Sequence, residues 1–250
     1  MWYRLLFAVA GSLTAFSAQA QDTGPSGSPV QRRVELAQKH IQSDPKSVQA
    51  YNDLAFALCR WARDTGNPQL YDKADAALQR SLQLSPGNLD AKKLQVTVLI
   101  GKRQFADALK LASGLQFHNH DDIGLWGLLV DCNIGLAHLE EAERDAQWIL
   151  DLRSGSSLGF TKAASLRELF GDPQGAVEYF EEALRRTSQS DVDERAWLMT
   201  QDARLQSKLG NVQRSEELLK QALQLFPDSH QALSTLATLP AKKQPNQATR

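Results

Sequence analysis

Apolar residues return along this chain at a spacing longer than a single helix. From Trp126, the pattern continues through Leu129, Ala142, Ala146 and Ile149. A shift of 34 positions forward lands on Phe160, Ala163, Ala176, Phe180 and Ala183, and the same shift backward lands on Lys92, Gln95, Ala108, Ala112 and Leu115. Three units therefore align without a gap, over 89–122, 123–156 and 157–190. A period of this length marks a stacked helix–turn–helix unit, because one such unit cannot bury its apolar face alone.

Two more units fit once short insertions are allowed at loops, where they cost little. Residues 48–88 carry Tyr51, Leu54, Ala55, Ala74, Leu78, Ser81 and Pro86, with about seven extra residues over Asp64–Leu70. Residues 196–229 carry Ala203, Gly210, Ser215, Leu219, Ala222 and Pro227, preceded by the polar insertion Asp191–Arg195. Val34–Pro45 reads as a lone second helix and His230–Leu239 as a truncated first helix, the half-units expected to cap an array. The repeat region spans 30–239.

Small residues recur where paired helices must approach: Ala55, Ala74, Ala108, Ala142, Ala164, Ala176, Ala203 and Ser215. Large ones such as Leu54, Leu78, Trp126, Leu129, Phe180 and Leu219 fill the seams between them. Asp172-Pro173 supplies an N-cap with proline in the first helical turn, and Asn211 is placed to cap the equivalent helix. This spacing resembles that of tetratricopeptide repeats (TPR). Departures include Lys92 at the usual aromatic position, Asn133 at the usual tyrosine, and His120 and Ser188 where proline usually closes a unit. The resemblance implies an all-α, right-handed α-solenoid that binds protein or peptide partners without catalysis or cofactor.

Composition agrees with helices. Leu 37, Ala 31 and Gln 23 stand against Val 10, Ile 5 and Thr 10, which disfavours a sheet. A net charge of −1 removes the electrostatic case for binding nucleic acid. Arg4, the apolar run Leu5–Phe16 and the small-residue site Ser17–Ala20 have the layout of a secretory signal peptide over 1–20. That run is shorter than the roughly 20 residues a membrane span requires. The Gly-, Pro- and Ser-rich stretch 21–29 reads as a linker and 240–250 as a disordered tail. The expected location is the periplasm or exterior of a bacterium, with no integral membrane segment once the signal is removed. A retained N-terminal segment would instead make the protein a membrane-tethered assembly factor.

Candidate chemistry is sparse. Gly155–Gly159 matches the G-x-S-x-G nucleophile elbow around Ser157, but that motif requires a strand–turn–helix setting and here joins two helices. His118 and His120 form a metal-capable pair on a turn, a poorly preorganised site that reads as a solvated linker. Cys59 and Cys132 fall on first helices separated by a whole unit, on the order of 20 Å, so free buried thiols are expected.

In TPR proteins the first helix of each unit lines a concave groove. Carried onto this sequence, the lining positions include Asn52, Phe56 and Arg60, then Lys93 and Thr97. Leu128, Asp131, Leu158 and Lys162 follow, and Trp197, Gln201, Arg204 and Lys208 come last. The clamp by which chaperone-type members grip a C-terminal carboxylate retains only Lys93 and Lys162 here, so an extended peptide or a helix anchored by Phe56, Leu158 and Trp197 fits better.

Overall fold

The computed structural model describes residues 28–240. The expected signal peptide, the linker through residue 27 and the tail from residue 241 lie outside the described residues. Twelve helices follow in order: α1 (Pro29–Ser43), α2 (Val48–Thr65), α3 (Gln69–Leu84), α4 (Leu89–Gly101), α5 (Phe105–Gln116) and α6 (Ile123–Gly135). The rest are α7 (Leu139–Leu152), α8 (Ser157–Leu169), α9 (Pro173–Arg186), α10 (Val192–Lys208), α11 (Val212–Leu225) and α12 (His230–Thr238). No strand forms among the described residues.

The period governs helix ends as well as helix faces. Asn88, Asp122 and Ser156 stand 34 apart, and each side chain accepts the backbone N–H three residues on, starting α4, α6 and α8. Asp172 caps α9 through Gly175. Asn211 sits at the start of α11 without a capping bond, and its side-chain N–H donates to Gln206 Oε1 at 2.9 Å. The N-terminal boundary also differs from the expectation: Ser28 and Gln31 form a reciprocal capping box and Pro29 opens α1, so the last two residues of the composition-defined linker belong to the fold. The turn inside each unit needs one left-handed residue, supplied by Gly66, Arg103, Ala137, Gly171 and Gly210.

Ala55, Ala74, Ala108, Ala142, Ala164, Ala176, Ala203 and Ser215 are all 0% exposed, as residues at helix crossings must be. Two glycines make a second repeating contact. A Cβ on Gly101 would overlap the ring of Tyr71, and one on Gly135 would overlap the ring of Phe105, so each aromatic residue packs on bare backbone in the next unit.

The ends of the array meet. The first helices α2, α4, α6, α8 and α10 form the inner wall, and one buried cluster joins Val30, Val34 and Leu58 at the N-terminal end to Ala196, Met199 and Ala232 at the C-terminal end. The expected caps α1 and α12 therefore pack on α10 and α2. Physically, each unit rotates relative to the last until the two unpaired apolar faces bury each other. The two insertions explain how they reach. Helices α4, α6 and α8 have 13 residues each, whereas α2 has 18 and α10 has 17. The extra turns lie at the C-terminal end of α2 and the N-terminal end of α10, where these helices face each other across the ring.

Candidate functional site

Closure turns the concave groove into a cavity of about 520 Å³ walled by α2, α3, α4, α6, α8 and α10. A second hollow of about 400 Å³, lined by Gln49, Asp53, Asp90 and Leu128 among others, shares Phe56, Leu94 and Thr97 with it, so the two adjoin. Seven of the residues carried over from the repeat pattern meet in the larger cavity: Phe56, Arg60, Thr97, Asp131, Leu158, Lys162 and Trp197. Phe56 is 45% exposed, and Leu158 lies against the backbone of Gly127. Trp197 is more constrained, with one face under the Arg63 guanidinium at 4.8 Å and its edge against Phe180.

Other residues from that set have structural partners. Asn52 is buried, accepting from Ser81 Oγ at 2.6 Å and donating to Asn88 Oδ1 at 3.0 Å, although its edge reaches the smaller hollow. Lys93 pairs with Asp122 at 2.8 Å and Lys162 with Asp131 at 2.6 Å. The two lysines retained from the carboxylate clamp are thus neutralised within the chain. Gln201 donates to Gln231, and Arg204 and Lys208 grip Glu168, outside both hollows. Hydrogen bonds and charge from these two cations hold the Glu168 carboxyl down at about 2.

One side of the cavity is a charged seam that the repeat pattern did not reveal. Arg60 donates to both carboxylate oxygens of Asp191, at 2.5 and 3.2 Å, and to Glu194 at 2.9 Å. Arg63 bonds Glu194 at 2.9 Å and Asp64 at 2.8 Å, while Arg33 of α1 bonds Asp193, whose side chain is fully buried. Burial alone would raise the Asp191 and Glu194 pKa values, but the arginines hold both below the usual range. For Asp64 burial prevails and its pKa is raised. Three buried atoms in the seam lack a partner among the described residues: Arg63 Nη2, Asp64 Oδ2 and Asp193 Oδ1. The available sequence signal is the pair of breaks in the 34-residue period: Arg60 and Arg63 stand just before one, and Asp191, Asp193 and Glu194 lie inside the other.

The remaining motifs have structural explanations. Ser157 is the first residue of α8, its hydroxyl donating to the Ala183 carbonyl at 3.0 Å and lying 2.7 Å from Thr187 Oγ1. His120 accepts the Trp126 indole N–H through its backbone carbonyl, and its ring lies 3.0 Å from Gln116 Nε2. No group of three or more His, Cys, Asp or Glu gathers to hold a metal among the described residues. Cys59 and Cys132 are free and buried, and burial pushes both thiols up to about 12.

No family model and no curated protein sequence matches the chain. Solved structures share its architecture. A thermophilic TPR protein of Thermus thermophilus superposes with TM-score 0.63 at 16% identity, covering 77% of this chain and 98% of the other. A tetratricopeptide repeat protein from Parabacteroides merdae gives 0.63 at 12% identity over 83% and 77%. PilW, a widely conserved type IV pilus biogenesis factor, gives 0.51 at 18% identity over 83% and 90%. The fold is therefore a TPR-type α-solenoid.

Proposed function

We propose that this chain is a non-enzymatic, exported TPR scaffold that holds a segment of a partner protein in its inner cavity during assembly of a bacterial envelope structure. The observation that carries the reading is the wall itself: successive first helices present Phe56, Leu158 and Trp197 to one space, and Phe56 leaves nearly half its surface uncovered. Apolar anchors flanked by polar side chains such as Thr97 and Ser165 suit a binding surface. The signal-like N-terminus supports export, and the architecture shared with PilW supports an envelope role.

The two adjoining hollows, of about 520 and 400 Å³, run along the first helices. An extended peptide with a few apolar side chains fits this volume, with its backbone groups meeting Thr97, Thr161 and Ser165.

Comparative capture from envelope extracts tests the reading. Partners retained by the wild-type mature chain should be lost with Phe56→Ala and with Leu158→Ala, at unchanged circular dichroism. Equal retention by both variants removes the cavity from the mechanism. N-terminal sequencing of the exported protein should begin at Gln21; a start at Met1 would favour the tethered form.

A further inference from the structure

We infer that the charged seam between α2 and α10 is a latch: the ring opens there, giving sideways access to the cavity. Arg60 and Arg63 on one side and Glu194 and Trp197 on the other are themselves cavity wall, so parting the seam opens the cavity directly. The Arg60–Asp191 contact joins residues 131 apart, whereas the other neighbouring first helices around the wall are tied through the single helix between them in sequence. Rotation at a few helix–helix contacts is therefore enough to part the two sides.

The seam's chemistry suits a contact that opens. Buried ion pairs gain little net stability because desolvation offsets attraction, and unmet hydrogen bonds reduce the gain further. Among the described residues no partner meets Arg63 Nη2, Asp64 Oδ2 or Asp193 Oδ1. Beside the seam, Val30 and Val34 belong to the apolar cluster shared with α2 and α10–α12, so opening has to part this packing as well as the ion pairs. An opening ring would admit the middle of a polypeptide whose flanks are folded, a consequence that rests on the proposed peptide-binding role. The opening itself does not depend on that role.

Cys59 reports it. This thiol lies on the cavity wall and is buried in the closed ring, while Cys132 is buried in the separate cluster between α4, α5 and α6. Iodoacetamide labelling of the full chain, followed site by site by mass spectrometry, compares them. In Asp191→Asn, and more so in Asp191→Asn/Glu194→Gln, Cys59 labelling should accelerate, about tenfold or more in the double variant, while Cys132 stays slow. Two results overturn the latch: Cys59 as slow as in the wild type in both variants, or both thiols accelerating together in Asp191→Asn. Neither readout requires a partner, so a failure of the peptide-binding reading is distinguishable from a failure of the latch.

Discussion

Arg60 and Asp191, 131 residues apart in sequence, form a two-pronged ion pair that closes the repeat array into a ring. Asp191 stands at the helix start where Asp122 and Ser156 cap their own helices, yet it makes no side-chain cap. Its carboxylate reaches across to Arg60 instead.

Arg60→Ala strands Asp191 and Glu194 beside Arg63 in a mostly buried seam. Loss of one partner from such a cluster costs about 2–4 kcal/mol, and Arg60→Lys should recover only part because an ammonium cannot reproduce the fork. Urea unfolding of the three proteins checks the order wild type, lysine, alanine.

Gly135→Ala drives a methyl into the Phe105 ring. The expected loss is about 1–3 kcal/mol, and pairing it with Phe105→Leu should restore part of that. Additive losses in thermal unfolding would show that the two positions do not share the contact.

Ala137→Gly should raise stability, because Ala137 occupies a left-handed turn position with φ of 60° that Gly171 fills without penalty in the next unit. The strain relieved is about 1–2 kcal/mol and the added unfolded-state freedom takes back about 0.5–1, leaving a net gain below roughly 1.5 kcal/mol. Thermal denaturation should show a higher midpoint for Ala137→Gly and no gain for Ala142→Gly, which sits inside a helix.

Stability should depend on pH through two carboxyls in opposite directions. Burial pushes Asp202 up to about 6, so the folded state prefers it protonated; its favourable contribution is complete below its ordinary value near 4 and is lost as pH rises through about 6. Asp202→Asn should therefore stabilise at pH 7, on the order of 1–2 kcal/mol, and little at pH 4. Glu168 runs the other way. Its hydrogen bonds from Arg204 and Lys208 stabilise the fold above the ordinary glutamate value near 4.5, and that contribution is lost as pH falls toward about 2. Midpoints measured for Asp202→Asn and Glu168→Gln across this range should shift in opposite senses, each merging with wild type at acid pH.

The sequence by itself determined the repeat: helix pairs, the crossings at residues such as Ala142 and Ala176, caps such as Asp172, and the candidate lining from Phe56 to Trp197. These follow from contacts within a unit or between adjacent units, and such contacts recur every 34 residues and are legible as a period. Asn211 departs from its expected capping role because a cap needs Oδ1 aimed at the helix start, and that rotamer is set by the surrounding side chains, among them Gln206, rather than by the letter. Only the tertiary structure decided that α2 and α10 meet, that Lys93 and Lys162 are already neutralised, and that Asn52 and Gln201 hold helices together. The first of these depends on rotation accumulated over five units, a sum that no single repeat encodes; the others are local pairings, within a unit or with the next one, that depend on which partner each side chain turns to. The breaks at Asp64–Leu70 and Asp191–Arg195 interrupt the period as isolated irregularities in the chain, and become neighbouring parts of one contact when the ring closes.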